Sequence, residues 1–199
     1  MRLVADWDGT ITVRDSLVQV IHEFGDPALL AELEPRVGVD LTLHEEIALE
    51  FRAITTPLEE VVAWVVKHVQ VRPGLHELAE LEPLVISAGF HELIEPVLER
   101  EGVALELLAN RVDATPDGWH VRFRDESACA TCGEPCKRGS LAGEPYVYVG
   151  DGYSDRCAAL AADRIFARDA LARHLDGLGV AYEPFGDLYD VAAALSRRR

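Results

Sequence analysis

The sequence predicts an α/β protein: a parallel sheet flanked by helices, with a small inserted helical unit. Three observations carry that expectation. Short apolar runs at 2–5, 83–86 and 146–149 run into Asp6-Trp7-Asp8-Gly9-Thr10, Ser87-Ala88-Gly89 and Gly150-Asp151-Gly152, as strands run into tight loops. Apolar residues elsewhere recur at helical spacing. The stretch 15–72 carries helical patterns alone, so it reads as an insertion between the first and second strands. Strands alternating with helices imply right-handed crossovers and a sheet buried on both faces.

Taken in order, residues 2–5 form a strand that delivers Asp6 and Asp8 to its carboxyl end. Leu17, Val20, Ile21 and Phe24 then follow i, i+3, i+4, i+7 spacing, with Asp15 or Ser16 placed to cap the helix and Gly25-Asp26-Pro27 to end it. Residues 27–57 read as mostly helical, and Leu58, Val61, Val62 and Val65 repeat the pattern. Arg72-Pro73-Gly74 punctuates the return to the sheet. A helix over 75–81 leads into the second strand, 83–86. Phe90, Leu93, Ile94, Val97 and Leu98 mark a helix, 103–108 a strand, and Asp117-Gly118 a turn between 110–114 and 119–123. Beyond the strand at 146–149 come a helix through 162, a strand near 164–166, a helix through 178 and a last helix over 188–195. The expected division is a core of 1–14 and 73–199, with a helical cap of 15–72.

A chain of 199 residues buries one sizeable core and is too short for two full domains. Its 19 Lys plus Arg against 35 Asp plus Glu leave a net charge of −16, which repels nucleic acid and anionic membranes; the longest basic run is the three arginines at 197–199. A small molecule is the expected partner. No apolar stretch approaches the roughly 20 residues that span a bilayer, and the first residues read as a strand rather than a leader, so a cytoplasmic location is expected. Oligomeric state is not legible.

Ligands of an open parallel sheet bind outside the carboxyl ends of its strands. Those ends carry Asp6 and Asp8, Ser87, and Asp151 with Asp155, while Lys137 precedes the strand at 146–149. Carboxylates grouped in this way stay ionised only beside a cation. Three aspartates with a lysine suit Mg²⁺, a hard ion that takes carboxylate, carbonyl and water oxygens and often a phosphate. The sequence has no GxxxxGK[ST] loop, so a phosphate falls to Ser87, Lys137 and loop amides.

Four elements in this order, Asp6-Trp7-Asp8-Gly9-Thr10, Val85-Ile86-Ser87-Ala88-Gly89, Lys137 and Gly150-Asp151-Gly152-Tyr153-Ser154-Asp155, resemble the motifs of the haloacid dehalogenase (HAD) superfamily of phosphatases over nearly the whole chain. The resemblance implies a Rossmann-like HAD core with a helical cap. It makes Asp6 the nucleophile that forms an aspartyl-phosphate and Asp8 the acid, then base, of the two half-reactions. Mg²⁺ would be held by Asp6, the Asp8 carbonyl and Asp151, with Asp155 orienting the shell; Ser87, Lys137 and Thr10 would meet the phosphate. Within the superfamily the chain resembles the branch that contains phosphoserine phosphatase and the methionine-salvage 2-hydroxy-3-keto-5-methylthiopentenyl-1-phosphate phosphatase. The run from Ile165 through Val191 and the cysteines leading into Lys137 look most like the latter. Leu43-His44-Glu45-Glu46-Ile47 lacks a glycine expected there, and the cap selects the leaving group. A contrasting reading is a non-catalytic phosphate- or metal-binding protein on the same fold; an intact Asp6 and Asp8 argue against it.

Other residues carry two readings each. Asp15 is either a helix N-cap or a contact to the polar end of the substrate. Arg52 reads as a solvated helix residue, and Trp7 as either pocket lining or core. Cys129, Cys132 and Cys136 fall within eight residues and admit a structural Zn²⁺, a disulfide or reduced loop thiols; a zinc site needs a fourth ligand from afar, such as His120 or Cys157. Cys157 itself reads as a buried helix thiol.

Overall fold

The computed structural model describes residues 1–141 and 143–196; the basic run at 197–199 lies outside them. Seven strands form one sheet: β1 (Arg2–Ala5), β2 (Leu84–Phe90), β3 (Glu106–Thr115), β4 (Gly118–Arg122), β5 (Tyr146–Gly150), β6 (Arg164–Ala167) and β7 (Glu183–Pro184). Their spatial order is β4-β3-β2-β1-β5-β6-β7. All neighbours pair in parallel except β3 and β4, which form an antiparallel hairpin at one edge.

The inner strands alternate between two buried faces. Leu3, Ala5, Val85, Val147, Val149 and Phe166 belong to one apolar cluster, while Val4, Leu84, Ile86, Tyr146, Tyr148, Ile165 and Ala167 belong to the other. That is the two-residue period of a strand, and both faces are apolar because helices cover both. Helices α7 (Arg156–Ala159) and α8 (Asp169–Leu178) cover the second face; α6 (His91–Glu101) and α9 (Leu188–Ser196) pack on the first.

Between β1 and β2 the chain forms α1 (Ser16–Phe24), α2 (Pro27–Leu33), α3 (Leu43–Arg52), α4 (Leu58–His68) and the short α5 (Leu75–Ala79). Local chemistry sets these boundaries. Asp15 caps α1 by accepting the Val18 N–H at 3.0 Å, Asp26 caps α2 with Pro27 at its first position, and Thr42 with Glu45 makes a capping box on α3. The two connections of the helical block run side by side: Val13 N–H donates to the Gln70 carbonyl at 2.9 Å and Arg72 N–H to the Ile11 carbonyl at 2.8 Å.

Several elements differ from expectation: β7 falls where no strand was expected, and the helix expected over 75–81 ends at Ala79. β2 continues past Ile86 to Phe90, with its pairing to β3 shifted between those residues, so Ser87 sits inside an irregular strand and not after it. The strands expected at 103–108 and 110–114 are one strand, because Asn110 donates its amide to the Ala88 carbonyl at 2.8 Å and keeps the chain extended beside β2. α7 stops at Ala159 because residues 160–162 tighten as the chain turns into β6, where Asp163 N–H meets the Tyr146 carbonyl at 3.0 Å.

Candidate active site

The order β2-β1-β5 places β1 at the point where the chain switches direction across the sheet, and its carboxyl end opens a crevice between the loops of β1, β2 and β5. After Ala5 the chain winds through a wide turn over Trp7–Ile11, closed by Thr12 N–H donating to the Trp7 carbonyl at 2.9 Å. Gly9 makes the turn possible in two ways. Its φ is +72°, and a Cβ there would land on the Asp151 carboxylate.

Asp6 is 4% exposed at the centre. Its Oδ1 accepts the Trp7 N–H at 2.7 Å and lies 2.5 Å from Lys137 Nζ. Lys137, equally buried in the turn Lys137–Leu141, also donates to Asp155 Oδ1 at 2.7 Å. Asp155 is fully occupied: it also accepts the Tyr148 hydroxyl at 2.7 Å and the Asp151 and Gly152 N–H groups at 2.9 Å. Asp151 accepts the Thr10 hydroxyl at 2.7 Å. Asp8 holds Ser16 through both its N–H, at 2.8 Å, and its hydroxyl, while Ser87 Oγ lies 3.4 Å from the other Asp8 oxygen.

The charges decide the electrostatics. Burial raises Asp6 well above the usual carboxylate range, Asp155 and Asp151 add to that, and Lys137 opposes it. Burial and then Asp155 bring Asp151 to about 7, and burial with Asp15 brings Asp8 to about 7. Lys137 stands above its ordinary value because Asp155 and Asp6 outweigh its burial. Asp155, in spite of burial, is held low by Lys137 and the Gly152 N–H. One ammonium therefore faces three carboxylates, and the oxygens of Asp6, Asp151 and Asp155 lie within 4.8 Å of one another. With Asp155 taken up by its own donors, Asp6 and Asp151 are the carboxylates left to face an ion; that set is oxygen-only, short of positive charge, and fits a hard divalent cation.

The structure brings Asp6, Asp8, Ser87, Lys137, Asp151 and Asp155 together. Thr10, expected at the phosphate, is wholly buried and donates its hydroxyl to Asp151. Asp15 is the cap of α1, Trp7 is core at 1% exposure, and Arg52 is not merely solvated: it pairs with Asp117 at 2.8 Å and with His120. Sequence reasoning missed Ser16, Tyr148 and Arg72. The Arg72 guanidinium, buried under the β1 loop, donates to the carbonyls of Gly9 (2.8 Å), Thr10 (2.9 Å), Thr12 (3.2 Å) and Gly186 (3.2 Å). Its only signal was a charged residue beside Pro73-Gly74, which looked like punctuation. A cavity of about 310 Å³ adjoins the cluster, with Ser87 and Lys137 on its wall and Leu43, His44, Arg124 and Leu160 around it.

The fold sets a carboxylate-rich centre in the crevice of a parallel sheet, and the chain belongs to the haloacid dehalogenase-like hydrolase family, whose model matches residues 3–160. Within that family it is similar to the 2-hydroxy-3-keto-5-methylthiopentenyl-1-phosphate phosphatase of Bacillus mycoides (strain KBAB4), 26% identical over 98% of this chain and 95% of the relative. Two solved structures share its fold: a phospho-aspartyl intermediate analogue of phosphoserine phosphatase (TM-score 0.71, 20% identity, 96% and 97% of the two chains) and the phosphoserine phosphatase of T. onnurineus (TM-score 0.70, 19% identity, 96% and 92%). Among the described residues no helix is long and apolar enough to cross a membrane.

Proposed function

We propose that the protein is a Mg²⁺-dependent phosphomonoesterase acting through Asp6, with 15–72 as a cap over a core of 1–14 and 73–199. The observation that supports this best is the carboxylate of Asp6, oriented through one oxygen by Lys137 and the Trp7 N–H, with a second carboxyl, Asp8, protonatable near neutrality beside it. Asp6, Asp151 and the Asp8 carbonyl are the groups to hold Mg²⁺, with Asp155 behind them; bound there, the ion offsets the repulsion between nucleophile and phosphate.

The chain's own residues account for the rest. Both donors to Asp6 fall on Oδ1, so Oδ2 is the oxygen placed to attack phosphorus. Lys137 neutralises charge on Asp6 and on the transferring phosphoryl group, and Asp155 with Tyr148 keeps its ammonium in place. Ser87 offers its hydroxyl to a phosphate oxygen. Asp8 gives its proton to the leaving oxygen as the aspartyl-phosphate forms, then takes one from the water that hydrolyses it. Ser16 fixes the Asp8 rotamer in both steps.

The cavity beside Ser87 and Lys137 has the apolar side chains Leu43, Pro135 and Leu160 in its wall. The wall also carries Arg124, Asp125, Glu134 and Arg156, and it is the full-length likeness to the Bacillus relative that favours a thioether ester over phosphoserine as the substrate. Phosphate release is measured from a panel of small phosphomonoesters, including both of these, with Mg²⁺ or with EDTA. Turnover is expected to need Mg²⁺, to favour the thioether ester, and to fall by roughly 10⁴-fold or more in Asp6→Asn. Equal inertness of wild type and variant on every ester would overturn the reading.

A further inference from the structure

The catalytic reading leaves unused the segment between β4 and Lys137. Residues 124–136 contribute nothing to either apolar cluster and form no helix or strand, yet they deliver Lys137 to a position fixed by two buried ion pairs. A loop of that length with no core anchor needs another restraint.

Four thiols supply the means. Cys129, Cys132 and Cys136 from the loop meet Cys157 from α7, and their Sγ atoms all lie within 4.8 Å of one another. All four are unbridged, and Cys129 Sγ stands 3.9 Å from Cys157 Sγ. Tetrahedral Zn²⁺ with Zn–S bonds of about 2.3 Å sets its sulfurs about 3.8 Å apart, whereas a disulfide draws only two together. The loop geometry serves the sulfurs as well. The turn at 129–134 is closed by Gly133 N–H donating to the Cys129 carbonyl at 2.8 Å and Cys129 N–H to the Glu134 carbonyl at 2.9 Å. Gly133 takes a φ of +80°, and Thr131 N–H points at Cys129 Sγ at 3.4 Å. A backbone donor on a sulfur favours the thiolate that a metal requires.

Charge supports the same conclusion. Four thiolates with one divalent ion carry a net −2. Arg124 and Arg156 line the cavity alongside the cysteines, and each has a buried Nε without a hydrogen-bond partner. His120, the other fourth ligand considered from sequence, is engaged with Arg52 on β4.

We propose that Cys129, Cys132, Cys136 and Cys157 form a closed structural Zn²⁺ site, separate from the carboxylate centre, that clips the loop 124–136 to α7. Four sulfur ligands leave no open position for substrate, so the ion is structural. Its place gives it a purpose. Cys136 immediately precedes Lys137 and Cys157 follows Asp155 by two residues, so the clip joins the two segments whose ion pair orients the nucleophile.

The test is metal analysis of the reduced full chain, loaded with Zn²⁺ in excess Mg²⁺ and passed through gel filtration. About one Zn²⁺ per chain is expected, falling below about 0.2 in Cys157→Ser. Cobalt in its place should show the intense visible bands and sulfur charge-transfer absorption of a tetrahedral tetrathiolate. If Cys157→Ser does not fold, Cys132→Ser, altered at an exposed loop position, gives the same measurement. Absence of retained Zn²⁺ in the wild type, or equal retention in both variants, overturns the proposal, as does a disulfide within the cluster found by alkylation and mass analysis of freshly prepared protein. None of these readouts depends on phosphatase activity.

Discussion

Asp8 in the loop after β1 and Arg72 beneath that loop do different work, and each makes a prediction of its own. In the proposed mechanism Asp8 protonates the leaving oxygen, a service that matters in proportion to how poor the leaving group is. Asp8→Asn should slow an alkyl phosphate by about 10²–10⁴-fold and an aryl phosphate much less, as steady-state kinetics on the two esters would show. Arg72 never reaches the crevice; its guanidinium satisfies the carbonyls that the wide turn after β1 leaves without partners. Arg72→Met leaves those carbonyls buried and unpaired, so a loss of about 3 kcal/mol is expected, seen as a Tm lower by about 6–12 °C. That Asp6, Asp8, Ser87, Lys137, Asp151 and Asp155 gather at one place was legible, because each sits in a motif at or just before a strand end. Arg72, Ser16 and Tyr148 were not, because what they touch lies far along the chain or in a rotamer that spacing does not encode.

Among the elements, α3 is unusual in burying two glutamates on one face. Glu46 and Glu50 are 7% and 4% exposed, and Glu50 Oε1 has no hydrogen-bond partner. Burial raises Glu46 to about 7 and Glu50 to about 8, with Glu34 adding to the first and Glu46 to the second. Both acids are therefore neutral in the fold at a pH where the unfolded chain has ionised them. Their contribution to stability is whole below about 4.5 and is lost as pH rises through about 8. Glu50→Gln should remove much of that slope, raising stability at pH 8 by about 1–3 kcal/mol and changing it little at pH 4.5, measured by urea unfolding at the two pH values. The α3 helix was legible only as part of the mostly helical stretch 27–57; its capping box, Thr42 with Glu45, is seen in the structure. Its buried acids were not legible, since a glutamate on a helix is exposed unless tertiary packing covers it.

Across the whole molecule, the helical block shares the apolar core with the sheet: Ile21, Ile47, Phe51 and Val61 lie in one buried cluster with Val85, Phe90 and Trp119. Arg52 at the end of α3 pairs with Asp117, and the tip of the β3–β4 hairpin packs so closely that a Cβ on Gly118 would collide with the Arg52 carbonyl. The Arg52–Asp117 pair is exposed on both sides, 44% and 70%, so it adds little to stability. The pair ties the end of α3 to the β3–β4 turn, and on the proposed reading of 15–72 as a cap its loss is expected to show in substrate binding. Arg52→Ala should raise KM by about 2–5-fold with Tm nearly unchanged, as kinetics and thermal unfolding of the same sample would show. Periodicity and turn chemistry determined the α/β class, the helical insertion and the strand ends that carry the polar residues, because those signals are local and repeat along the chain. Strand order, the continuation of β2 through Ser87, the guanidinium beneath the nucleophile loop and the meeting of Cys157 with three loop cysteines were decided only in three dimensions. Each of these joins residues distant in sequence, and no local pattern records which distant partner a side chain will find.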